Sequence, residues 1–247
     1  MTDASAKQRP KRFYEAVSVV ADGAAWRVHL DGRPIRTPAG AFLVLPTEGL
    51  ARAVAGEWES QGSHLDIQGM HLTRLANVAI DRTPETREAL AENIVKYCET
   101  DLTCFLAEDA TVRQRQDTLW KPWRAWAGQT LGVLLVPVEG LLASPQPAAS
   151  LNAARAYALG ANNFALTGLA FGCGLYGSAL LTFAVAEGAL DAQAAFAASI
   201  IDETIQAEQW GEDAEAMAAQ AARAAESDAL GQWLGALSSG NASILQR

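Results

Sequence analysis

At 247 residues the chain has room for one or two domains, and its hydrophobic half is enough for a sizeable core. A formal net charge of -9 argues against a nucleic-acid partner, which needs a clustered basic surface; the only small cluster, Lys7 to Arg12, reads as a solvated N-terminal tail. Cys98, Cys104 and Cys173 form no Cys-x-x-Cys pair and leave at least one thiol unpaired, which fits a reducing compartment rather than a secreted disulfide framework.

The first residues lack the apolar run of a signal peptide, so the chain is expected in a cytoplasm. Tyr14 to Val20 alternates and predicts a strand. Trp26, Val28 and Leu30 alternate with Arg27, His29 and Asp31, the period of a half-buried strand. Asp31-Gly32 then supplies the positive φ of a tight hairpin, with Ile35 opening the return strand. Phe42, Val44 and Leu45 make a further short strand that ends at Pro46.

Beyond Pro46 the period becomes helical. Thr47 is a natural N-cap, and Leu50, Val54 and Trp58 recur at four-residue spacing up to a stop at Gly62. Trp58 is expected to tie this helix to the strands. A second helix is predicted over 70–82 and a third from Thr83-Pro84, with Leu90, Ile94, Tyr97 and Cys98 on one side. A fourth carries Leu119, Trp123, Trp126 and Thr130 as its apolar stripe, with Pro122 either kinking it or lying in its first turn. After a loop at "VEGLLASPQPAAS", helices are predicted over 148–160, 162–171, 175–187, 191–210 and 213–237, with a frayed tail from 238 on.

The expected fold is α+β: a small N-terminal antiparallel β domain followed by a larger all-helical domain. The boundary is placed after Gln61, giving a mainly β domain with its first helix over 1–61 and a helical domain over 62–247. No charge occurs between Arg155 and Glu187, a stretch long enough to cross a bilayer. Gly168, Gly172, Gly174 and Gly177 interrupt it, however. The reading is two buried helices meeting near Gly172–Gly174 in close contact, with no stable membrane insertion.

Chemistry-bearing motifs are few. Neither a Walker loop nor a G-x-G-x-x-G after a strand is present, and no cofactor is expected. His64, Asp66 and His71 straddle a loop and a helix start, a poor geometry for zinc, so no metal site is expected. Cys98 and Cys104 sit among apolar residues, where a thiol behaves as a small hydrophobe.

The stretch "IIDETIQAEQWGED", Ile200 to Asp213, is richer. On a helix, Phe196, Ala197, Ile200, Ile201 and Ile205 share a core-facing arc, and Glu203, Gln206 and Trp210 share a neighbouring one, joined at its edge by Ser199. Asp202, Gln209 and Asp213 extend the polar side. Glu208 breaks the pattern, either at the helix end or paired with a buried arginine. Asp202 and Glu203 diverge by about 100° around a helix, so they do not converge on one bond. Three readings stay open on the residues alone: a solvated acidic helix end stopped by Gly211, a recognition surface, and a small-molecule enzyme using the carboxylates of Asp202, Glu203 and Asp213.

The order and spacing of several segments carry a resemblance. They are "KRFY" at 11–14, "LDGRPIRTP" at 30–38, "LPTEGLARAVAGEWESQ" at 45–61, "MHLTRLANVAID" at 70–81, "YCETDLTCF" at 97–105, "QRQDTLWKPWRAW" at 114–126 and "DETIQAEQWGED" at 202–213. Together they resemble the ATP synthase mitochondrial F1 complex assembly factor two family, and this chain looks like a bacterial member. The resemblance implies a chaperone without catalytic residues. Such a chaperone binds the unassembled alpha subunit of F1-ATPase, prevents its aggregation and passes it to the beta subunit. It further implies that Glu203, Gln206, Trp210 and Gly211 contact the partner, and that the matrix is the equivalent compartment in mitochondrial relatives. Asp202 and Asp213, which extend the polar side, are expected in the same partner-binding face, and the chain is expected to be monomeric on its own.

Overall fold

The computed structural model describes residues 9–140, 142, 144–211 and 213–238. The fold is α+β. Strand β1 (Val17–Asp22) pairs antiparallel with β2 (Ala25–Leu30), Val19 lying opposite Val28. The turn is Gly23-Ala24, and only Gly23 has positive φ, at 64°. The other edge of β2 takes β3 (Arg33–Pro34) at one end and β4 (Val44–Leu45) at the other. Asp31 and Gly32, at φ 48° and 77°, make the mirror-image turn expected from their identity. The Asp31 carboxylate accepts from the amides of Glu15 and Ala16, and those bonds hold its carboxyl below the usual range.

Helix α1 (Glu48–Glu59) starts at Thr47, whose hydroxyl accepts from the Leu50 amide at 3.1 Å. That hydroxyl also donates to the Ala236 carbonyl, tying the start of α1 to the far end of the chain. Leu50, Ala51, Val54 and Ala55 face inward. Trp58 packs edge-on against Tyr14, whose hydroxyl donates to the Trp58 carbonyl at 2.6 Å, so it ties α1 to the segment entering β1. The basic cluster is no free tail from Arg9 onward. Arg9 pairs with Asp66, and Arg12 donates to the carbonyls of Tyr14 and Gln61.

Helices α2 (His71–Asp81) and α3 (Thr83–Glu99) follow. The N-terminus of α2 has no cap from its own flank. Glu57 of α1 supplies one, accepting from the amides of Leu72 and Thr73 and from the Thr73 hydroxyl at 2.7–2.8 Å. Helix α4 (Ala110–Leu131) begins at Asp109, which accepts from the amides of Thr111 and Val112, and Pro122 lies well inside it. Its buried residues are Gln116, Trp120, Arg124 and Ala127, one position round from the expected stripe. Two polar residues can bury there because they satisfy backbone groups: Gln116 accepts from the Ala107 amide, and Arg124 donates to the Thr103 carbonyl. Short parallel strands β5 (Phe105–Leu106) and β6 (Val138–Glu139) pair within what reads as loop.

The remaining helices are α5 (Ala148–Gly160), α6 (Asn163–Tyr176), α7 (Ala179–Ala186), α8 (Ala192–Ser199), α9 (Ile201–Trp210) and α10 (Ala214–Ser238). The expected break near Gly172–Gly174 lies instead at Gly177, in the left-handed region at φ 63°, with Ser178 capping α7. Gly168 and Gly172 lie inside α6 as contact points. A Cβ on Gly168 would meet Trp233 and Leu234 of α10 at 2.9 Å, and one on Gly172 would meet Thr182 at 2.6 Å and Leu230 at 2.9 Å. Every residue of α7 is buried. The uncharged stretch is thus interior, and no helix among the described residues is long and apolar enough to cross a membrane. Most of the tail expected to fray, 239–247, lies outside the described residues. One hydrophobic core runs from Val28 and Leu45 through Leu50 and Val54 to Leu230 and Trp233.

Between α8 and α9 the expected continuous helix breaks at Ile200, with φ -114° and ψ 16°. The Trp120 indole donates to the Ala198 carbonyl at 2.8 Å, taking the acceptor that a continuous helix would offer to Asp202. This junction aims α9 across the N-terminal half of α4.

Candidate functional site

Helix α9 is anchored by Ile201 and Ile205, both buried. Glu203, Gln206 and Trp210 are exposed, Trp210 at 77 %. Gly211 ends the helix at φ 92° and ψ 164°, a conformation open only to glycine, and its amide donates to the Ala207 carbonyl at 2.9 Å. Asp213 caps α10, accepting from the amides of Glu215 and Ala216 at 2.8 and 2.9 Å.

The exposed residues divide between two grooves. Asp202, Gln206, Gln209 and Trp210 line a groove of about 720 Å³ against β5, the Gly140 that follows β6, and the start of α4. Phe105, Leu106, Val112 and Ile205 make its apolar walls. Asp202 is half-buried and accepts from the Gln116 amide nitrogen at 2.8 Å, while the Gln116 oxygen takes the Ala107 amide at 2.8 Å. Gln116 therefore links the end of β5 to α9. Glu203 and Asp213 line a smaller groove of about 290 Å³ with Met217, Gln220 and Arg223 of α10. Arg223 reaches Glu203 at 3.1 Å.

Glu208 has its partner. Arg115 of α4 meets both its oxygens, at 2.5 and 2.9 Å, in an exposed pair that holds the Glu208 carboxyl below its usual range. The bond is bidentate and ties α9 to α4, although its arginine is not the buried one that was the alternative.

The arrangement is poor for bond chemistry. Asp202 and Glu203 point to different grooves, and Asp213 is occupied as a cap. Burial pushes the Cys104 thiol up to about 12 and moves Cys98 and Cys173 upward as well, so all three stay as thiols. The described residues contain no group of His, Cys, Asp and Glu arranged to hold a metal ion. Asp101 is fully buried, and burial raises its carboxyl above the usual range. It accepts from Thr103, from the Ser178 hydroxyl and from the Leu180 amide, a structural knot joining the end of α3 to α7.

Sequence reasoning missed one wall of the larger groove. Phe105 to Glu108, Val112, Gln116 and Gly140 come from elements roughly 60 to 100 residues away in the chain, and no periodicity in α9 points to them.

A family model described as ATP12 chaperone protein matches residues 11–128. The mitochondrial protein atp12 of Schizosaccharomyces pombe is 24% identical over 214 residues, which cover 81% of this chain and 74% of that one. The crystal structure of Atp12 from Paracoccus denitrificans is 36% identical, with a TM-score of 0.85 over 92% of this chain and 97% of that one; an aspartate-to-lysine mutant of it matches equally. The Atu1473 protein of Agrobacterium tumefaciens is 35% identical, with a TM-score of 0.87 over 92% and 86% of the two chains. The chain therefore belongs to the ATP12 chaperone family, and it is a chaperone rather than an enzyme.

Proposed function

We propose that the chain binds the unassembled alpha subunit of F1-ATPase, keeps it from aggregating and delivers it for assembly with the beta subunit. The family resemblance supports that partner, and membership of a chaperone family supports the kind of activity. The observation that carries the reading is the outer face of α9. A 77 % exposed tryptophan, a glutamine and the carboxylates of Asp202 and Glu203 stand on a buried isoleucine base, with no reacting constellation beside them among the described residues. An isolated subunit exposes apolar surface that its neighbours later bury, and such surface aggregates. A cover that must later be displaced needs a mixed apolar and polar face of moderate affinity.

Glu203, Gln206 and Trp210 form the contact, with Gly211 fixing how the chain leaves α9 and Asp202 and Asp213 flanking it. The chain works as a monomer in a bacterial cytoplasm, and 1–61 and 62–247 act as its two units. Co-expression with each F1 subunit, followed by size-exclusion chromatography, tests the proposal. It predicts one co-eluting complex with alpha. Elution of alpha in aggregates, unchanged by the chain, refutes it.

A further inference from the structure

The groove between α9 and the β5–β6 pair has an unbalanced charge pattern. Among the described residues its lining contains two carboxylates, Glu108 and Asp202, and no cationic side chain. The arginines nearest in sequence are already engaged: Arg113 pairs with Glu139 at 2.5 Å, and Arg115 with Glu208. Asp202 meets only the neutral amide of Gln116, and Glu108 has no hydrogen-bond or ion-pair partner among the described residues. A solvated carboxylate on a surface needs no explanation by itself. Here the carboxylates share a groove with apolar walls and an exposed indole. An aromatic face and an unpaired carboxylate lining one groove suit a guanidinium or ammonium on a long stem, which a ring attracts and a carboxylate neutralises.

We propose that this groove takes an apolar client segment bearing one lysine or arginine, whose cation pairs with Glu108 while its stem lies against Trp210. The inference rests on the reading of the chain as a chaperone of an F1 subunit and names what that subunit presents. Glu108 is thereby a specificity residue lying about 100 residues from the rest of the contact surface. The apolar side chains of the segment fill the space between Phe105, Val112 and Ile205, and Asp202 keeps the groove negative as the cation enters.

The test measures binding of purified alpha subunit, and in parallel purified beta subunit, to immobilised chain at low and high salt. The variants are Glu108→Gln and Glu108→Lys, each checked for an unchanged melting temperature. Wild-type affinity for alpha is expected to fall with salt. Glu108→Gln should weaken binding about fivefold and flatten that salt dependence, and Glu108→Lys should weaken it more than about tenfold. If alpha binds all three proteins equally, with the same salt dependence, the groove inference is overturned while the alpha reading stands. Capture of beta alone, with the same dependence on Glu108, keeps the groove and overturns the alpha reading. Capture of neither subunit overturns both. Self-association of the chain that Glu108→Lys abolishes would put a second copy in the groove and overturn the inference.

Discussion

Replacing Trp210 by alanine removes an indole that is 77 % exposed in the free chain. Truncating a fully buried tryptophan costs about 3–5 kcal/mol. With roughly a quarter of the side chain covered, the scaled cost is about 1 kcal/mol, and alanine's better helix propensity offsets part of it. In a domain of this size the melting temperature should fall by no more than about 2–4 °C. At the centre of an interface the same truncation costs about 2 kcal/mol or more, or about 30-fold in dissociation constant. Calorimetry on the free variant and titration against purified alpha subunit separate the two effects. A near-native melting temperature with a large loss of affinity is the expected pair. A drop of about 10 °C would show that the indole packs inside the chain, and native affinity would remove it from the contact.

Three further substitutions probe the scaffold. Gly172→Ala drives a methyl toward Thr182 and Leu230, so overpacking of about 1–3 kcal/mol should outweigh the helix gain, whereas Gly56→Ala in α1 meets nothing within 4 Å and should stabilise by about 0.5–1 kcal/mol. Urea unfolding reads both, and equal shifts of the same sign would refute the close α6 packing. Glu57→Ala strips the cap from α2 and should cost about 1–3 kcal/mol. Burial raises the native Glu57 carboxyl above its unfolded value, so the native state holds that proton more tightly. The stability linked to that proton is full below the unfolded value of about 4.3 and is lost as pH rises through the native value, while the cap bonds themselves remain. Between mildly acidic and neutral pH, wild-type stability should therefore fall relative to the variant, and parallel profiles would contradict the assignment.

The elements most legible in the sequence were those whose signal is local. Thr47, the Asp31-Gly32 turn and the Leu50–Val54 stripe each sit within a few residues of the structure they produce. The outward direction of Glu203, Gln206 and Trp210 followed from helical period alone, because Ile201 and Ile205 fix the inner face. What stayed hidden depends on partners far along the chain. At the Ile200 break the Ala198 carbonyl is taken by the Trp120 indole, 78 residues upstream of Ala198. Gln116 and Arg124 bury by satisfying backbone groups in the Thr103–Ala107 segment, so hydrophobicity found Leu119, Trp123 and Trp126, which pack against the core from its flank, but not the centre of the buried face of α4. The groove required β5 and β6, two-residue strands too short to leave any alternating pattern.

Hydrogen–deuterium exchange of the chain, free and mixed with purified alpha subunit, tests the central claim most directly. The account predicts protection that appears on binding at 202–210 and at 105–108, with the β1–β2 hairpin unchanged. Protection confined to the hairpin or to α2 and α3, with α9 exchanging as in the free chain, would contradict it.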